Sequence, residues 1–108
     1  VDPLDGTREY GEGRDDWAVH VALSIDGAIA DGAVAQPALG QCFCTAGPAV
    51  LPPEASPLRF AVSRTRPAPL AQALATAVGG VLVPMGSAGV KTLAVLRGEA
   101  DVYLHQGD

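Results

Sequence analysis

Asp2 and Asp5 lie three positions apart, flank Pro3-Leu4 and run into Gly6-Thr7. A segment this short can aim two carboxylates and one backbone carbonyl at divalent cations. Magnesium favours oxygen ligands, typically one or two protein carboxylates together with phosphate oxygens of a substrate. Pro3 fixes its own φ and biases Asp2 toward an extended conformation, so ordering the acids costs little entropy. Gly6 has no Cβ and lets an anion approach the backbone. Thr7 offers a hydroxyl that could orient a water. The bland alternative is a pair of turn dipeptides, Asp2-Pro3 and Asp5-Gly6.

The elements that must hold this segment can be read along the chain. Residues 8–16 are polar and suit a loop or a short helical turn. Trp17 to Ile25 reads as a strand, apolar enough for burial on both faces. Asp26-Gly27 is a hairpin signal. Ala28 to Gln36 returns as a strand with Asp31-Gly32 marking a bulge. Pro37 to Gly40 turns, and Gln41 to Thr45 is a third strand. An antiparallel meander is the simplest arrangement.

Ala46 to Pro57 carries four prolines and a glycine and reads as a loop. Leu58 to Ser63 is a strand. Leu70, Ala73, Leu74, Ala77 and Val78 form one helical stripe, with Pro69 ahead of it and Gly79 beyond it. Val81 to Pro84 reads as a buried strand. Ser87 can cap a helix from Ala88 to Arg97, closed by Gly98. Asp101 to His105 is the last strand. The predicted class is α/β: an antiparallel meander, then a strand-helix-strand-helix-strand unit.

The chain has 108 residues, 12 acids against 7 bases, 48% hydrophobic and 18% charged residues, and a net charge of −5. That composition is globular. The acidic balance argues against binding a nucleic-acid polymer, which needs a basic face. No apolar run is long enough to span a bilayer. Cys42 and Cys44 are too few for a zinc site and read as buried or half-buried free thiols, in keeping with a reducing compartment.

Asp2-Pro3-Leu4-Asp5-Gly6-Thr7 resembles the first metal motif of the inositol monophosphatase superfamily. Arg8-Glu9-Tyr10, Gly13-Arg14-Asp15-Asp16-Trp17-Ala18-Val19-His20, Val62 to Pro67 and Gly86 to Lys91 resemble its 3'(2'),5'-bisphosphate nucleotidase (CysQ-type) branch. The resemblance covers essentially the whole chain and implies the layered sugar-phosphatase fold. It also implies a Mg²⁺-dependent phosphomonoesterase with two or more cations, acting on 3'-phosphoadenosine 5'-phosphate. The alternatives are inositol monophosphate or fructose 1,6-bisphosphate as substrate. By that likeness Asp2 bridges the cations, the Leu4 carbonyl completes one site and Asp5 holds the other. Gly6 and Thr7 N–H groups bind the ester phosphate, and the Thr7 hydroxyl orients the water. Arg66 and Lys91 are the nearest counterparts of the branch's substrate-binding cations. As single residues they, like Arg64, read equally well as exposed solubilising charges.

The likeness also implies a glutamate before the first motif and a Trp-Asp motif after Asp108. Neither is in these 108 residues, which therefore read as an internal piece of one phosphatase domain, inactive when isolated. Within that piece, 1–45 carries the metal motif and antiparallel strands, 46–57 a loop, and 58–108 the α/β half. A cytoplasmic location is implied, and a homodimer is compatible with it. His20 reads as a satisfied core histidine, Asp15 and Asp16 as a solvated turn, and Trp17 as core. His105 is left outside the site.

Three other readings compete. Haloacid-dehalogenase-like phosphatases place one residue, not two, between their acids, which on a strand changes the face of the second acid. Gly86 to Thr92 lacks the glycine spacing of a phosphate-binding P-loop and reads as a capped helix start. A non-catalytic binding remnant is the reading from a different class.

Overall fold

The computed structural model describes residues 1–47 and 51–105. A four-stranded antiparallel sheet opens the chain. Its strands are β1 (Asp2–Asp5), β2 (Ala18–Ile25), β3 (Ala28–Gln36) and β4 (Gln41–Cys44), in spatial order β1-β2-β3-β4. A short helix, α1 (Thr7–Gly11), links β1 to the stretch before β2. Asp26 and Gly27 take φ of 51° and 81° in the β2–β3 turn, the doubly left-handed turn that matches strand twist. Pairing shifts between Leu23 and Ser24, where Asp31 and Ile29 oppose them, so the bulge falls beside Asp31-Gly32 as its sequence suggests.

The second sheet is parallel, in order β6-β5-β7, with β5 (Arg59–Ser63) central between β6 (Val81–Met85) and β7 (Val102–Tyr103). The connections are α2 (Pro69–Val78) and α3 (Ala88–Arg97). Pro69 occupies the first turn of α2, and Gly79 and Gly98 close the two helices in left-handed conformation. Pro48, Ala49 and Val50 of the expected loop lie outside the described residues, and its remainder carries no helix or strand.

Helix α3 joins the halves, touching β2 and β3 on one side and β5 and β7 on the other. The main core is its product: Ala18, Ala61, Met85, Val90, Ala94 and Ala100 are buried together. A second cluster sets Phe60 and Val62 of β5 against Ala71 and Ala75 of α2. Alanines on the inner faces of both helices let the backbones approach the sheets closely.

Several expectations are corrected. Strand β2 is buried only at its start; Val21 to Ile25 are exposed where the hairpin extends beyond α3. The large side chains of the α2 stripe, Leu70, Leu74 and Val78, face outward, because the helix turns Ala71 and Ala75 inward instead. Strand β6 is mostly exposed because it is a sheet edge. The last strand is two residues long, and Leu104 and His105 continue beyond it. Cys42 and Cys44 are exposed free thiols, since alternation along edge strand β4 gives the half-buried side to Gln41 and Phe43. No described helix is long and apolar enough to cross a membrane.

Candidate active site

Strand β1 carries the acidic segment, and its pairing with β2 sets the surroundings. Asp2 opposes His20 and Asp5 opposes Ala18, with an irregular register between the two acids. Single ligand atoms of Asp2, Asp5 and His20 lie within 4.8 Å of one another. Asp2 is exposed and its Oδ1 accepts a 3.3 Å hydrogen bond from Leu4 N–H. Asp5 is half-buried, and its Oδ2 accepts from Ser87 Oγ at 2.6 Å, Gly89 N–H at 2.8 Å and His20 Nε2 at 2.9 Å. Burial pushes the Asp5 carboxyl up, but the bonds from Ser87, Gly89 and His20 outweigh it and hold it below its usual value.

Gly6 follows at φ 98°, and a Cβ there would sit 3.1 Å from Asp16 O and 3.2 Å from Ser87 Cβ. Its backbone thus passes between two loops where a side chain would be both strained and crowded. Thr7 is exposed and begins α1, whose Glu9 is buried. Glu9 pairs at 2.9 Å with Arg64, which also bonds Glu12.

An open cleft of about 610 Å³ starts at Asp5, Gly6 and Glu9. Arg66, Lys91, Tyr103 and His105 line its other walls. Lys91 is buried, 6% exposed, with Nζ 3.5 Å from Met85 O and 5.5 Å from the centre of the Tyr103 ring. Burial pushes the Lys91 ammonium down. Arg66 is exposed, its backbone N–H bonded to Ser63 Oγ at 3.0 Å. The cleft is therefore acidic at one end and cationic along a wall, a polarity suited to a metal-assisted reaction on an anion.

The structure brings Asp5, Gly6, Arg66 and Lys91 to one cleft, with Asp2 beside Asp5 across the start of the sheet. Two cations lose their reading as solubilising charges: Arg64 is tied to two acids and Lys91 is buried. His20 is half-buried and bonded to Asp5 rather than closed in the core, because the β1–β2 pairing sets its strand against the acids. Asp16 is buried, not solvated. Arg14 grips both its oxygens at 2.8 and 2.9 Å, and Gly86 N–H donates to Oδ2 at 2.7 Å. Trp17 is half-buried, edge-on to Tyr10 with ring centres 5.0 Å apart.

Sequence reasoning missed His20, Ser87, Glu9 and Tyr103, and it left out His105, which lines the cleft. His20 is brought to the acids by the β1–β2 pairing, which no local signal in the sequence announces. Ser87 was visible as a cap but not as a partner of Asp5. Glu9 and Tyr103 carried no local signal, since only the fold brings α1 and β7 to the cleft.

A mixed α/β layering, an Asp-Pro-Leu-Asp-Gly-Thr segment running from β1 into α1 and a cleft with acids at one end and cations on a wall agree with the resemblance drawn from the sequence. The inositol monophosphatase family profile matches residues 1–108, and the chain belongs to that family. It is 45% identical, over a 120-residue alignment covering 99% of the chain, to the 3'-phosphoadenosine 5'-phosphate phosphatase of Mycobacterium bovis, and equally to that of Mycobacterium tuberculosis. The protein of that name from Mycobacterium leprae is 44% identical. The chain spans 44% of the length of the first two relatives and 45% of the third. Among solved structures, Mycobacterium tuberculosis SuhB superposes with a TM-score of 0.64 at 26% identity, covering 98% of this chain and 51% of that one.

Proposed function

We propose that this chain serves a Mg²⁺-dependent phosphomonoesterase that converts 3'-phosphoadenosine 5'-phosphate to AMP and inorganic phosphate. The observation that carries the reading is the cleft itself, with Asp5 at one end and Lys91 and Arg66 on its wall. The curated relatives' names support the choice of nucleotide. On this reading, residues 1–45 supply the metal motif and antiparallel strands, and residues 58–108 the α/β half, of one phosphatase domain in the cytoplasm.

The donor set fits magnesium. Asp2 and Asp5 offer hard oxygens, and His20 is engaged with Asp5. Asp2, the Leu4 carbonyl and Asp5 would hold two or more Mg²⁺ ions. Such ions acidify water and offset charge on a leaving oxygen. The residues do the rest. Gly6 and Thr7 N–H groups orient the ester phosphate, and the Thr7 hydroxyl aims a water in line with the scissile bond. Arg66, with its planar fork, and Lys91, as a point charge, bind the second phosphate of the nucleotide.

The test is phosphate release by the protein expressed from its whole reading frame. Mg²⁺-dependent release from the nucleotide bisphosphate supports the proposal. Equal or greater release from inositol monophosphate or fructose 1,6-bisphosphate overturns the choice of substrate.

A further inference from the structure

Three hydrogen bonds converge on one oxygen of Asp5. Oδ2 accepts from Ser87 Oγ, Gly89 N–H and His20 Nε2, at 2.6, 2.8 and 2.9 Å. A carboxylate oxygen has about two lone-pair sites, so Oδ2 is saturated. The positive ends of three donors also repel any cation approaching from that side. Oδ1 is the oxygen left for a metal.

Ser87 carries a second, independent mark. It sits at φ 64° and ψ 129°, a backbone conformation that residues other than glycine rarely adopt. Strained backbone of this kind persists only where its surroundings over-determine it. Ser87 Oγ supplies the reason, accepting from Val90 N–H at 3.2 Å while its hydroxyl donates to Asp5. A glycine would relax the backbone but lose both bonds. The approach of α3 is close as well: a Cβ on Gly89 would lie 2.5 Å from His20 Nε2.

We propose that Ser87 and His20 are positioning residues that hold Asp5 as a single-oxygen ligand and pin the start of α3 to the metal site. This rests on the metal reading above. Because Oδ2 is the acceptor of their hydrogen bonds, the three donors fix the carboxylate plane, and a two-oxygen grip would require breaking them. His20 then carries its proton on Nε2, the tautomer set by Asp5. Lys91 follows Ser87 by four positions, one helical turn, so the anchor that orients the metal ligand also fixes where the substrate-side cation stands in the cleft. Metal and anion ends of the site share one support.

The experiment is calorimetric Mg²⁺ titration of the protein expressed from its whole reading frame, with no substrate present. Wild type is compared with Ser87→Ala, Ser87→Gly, His20→Gln and His20→Ala, and metal-free unfolding is followed alongside. Groups behind a metal ligand typically contribute about 10–100-fold in affinity. Ser87→Ala and Ser87→Gly should weaken Mg²⁺ binding about tenfold or more. The metal-free unfolding midpoint of Ser87→Gly should fall less than that of Ser87→Ala, because relief of strain offsets part of the lost bonds, whereas a merely structural serine would lower the midpoint and leave affinity alone. His20→Gln, which can still donate, should keep affinity within about threefold, and His20→Ala should not. A folded Ser87→Gly protein with wild-type affinity overturns the inference. Should the Ser87 variants not fold, unchanged affinity in His20→Ala overturns it. Absence of Mg²⁺ binding in wild type overturns the metal reading and this inference together.

Discussion

Asp16 and Gly86 are seventy residues apart in sequence and 2.7 Å apart in space, joined by a hydrogen bond from the glycine N–H to the carboxylate. The bond ties the end of the acidic loop to the turn that launches α3. Its acid is also gripped by Arg14. The Arg14 guanidinium, over the opposing effect of burial, holds the Asp16 carboxyl down to about 2, with Gly86 N–H assisting.

That depression makes stability pH-dependent. A carboxyl whose folded pKa lies below its unfolded value of about 3.9 contributes fully above that value, and the contribution fades as pH falls toward 2. The expected loss from this group is on the order of 1–2 kcal/mol, discounted because Arg14 is partly exposed. Urea unfolding of wild type and Asp16→Asn at pH 7, 4 and 2.5 checks it. The gap between the two proteins should shrink as pH falls.

Asp5→Asn should remove Mg²⁺-supported turnover while the fold survives. The amide oxygen can still accept from Ser87 and Gly89, so the α3 anchor is partly kept. Turnover should drop about a hundredfold or more, since losing a ligand should exceed the roughly 10–100-fold typical of groups behind ligands. Phosphate release measured beside circular dichroism separates the two effects. Wild-type-like activity in this variant would count against the site.

Lys91→Met should act on binding rather than on folding. Burial already pushes the Lys91 ammonium down, so its charge is a cost to the folded state that methionine removes. The melting temperature should hold or rise. KM for the nucleotide bisphosphate should rise about tenfold or more, the weight of a charge-assisted bond. Steady-state kinetics with the bisphosphate and with a singly phosphorylated ester checks the assignment; an equal effect on both would refute it.

Leu93 is 1% exposed, a fully buried large side chain of α3. Leu93→Ala should destabilise by about 2–5 kcal/mol through lost burial and a residual cavity. Equilibrium denaturation gives the number, and a cost below about 1 kcal/mol would contradict the burial of this side chain.

Much of this was legible in the sequence because its signals are local. The Asp26-Gly27 turn, Ser87 as cap, Gly79 and Gly98 as helix ends, and the acidic segment each depend on residues within a turn of one another. Burial was less legible because it depends on what packs where. The leucine-bearing stripe of α2 looked like the buried face, yet two alanines went inward because small residues fit the close approach to β5. Asp16 looked like a turn residue because its partners, Gly86 above all, lie far along the chain. His20 looked like a core residue because nothing near it in sequence announces Asp5.

The most direct measurement is phosphate release from 3'-phosphoadenosine 5'-phosphate, inositol monophosphate and fructose 1,6-bisphosphate, each with Mg²⁺ and with a chelator, by the protein expressed from its whole reading frame. Rapid release is expected from the nucleotide only, abolished by the chelator. Release that survives chelation, or none from any of the three esters with Mg²⁺ present, would contradict the proposed function.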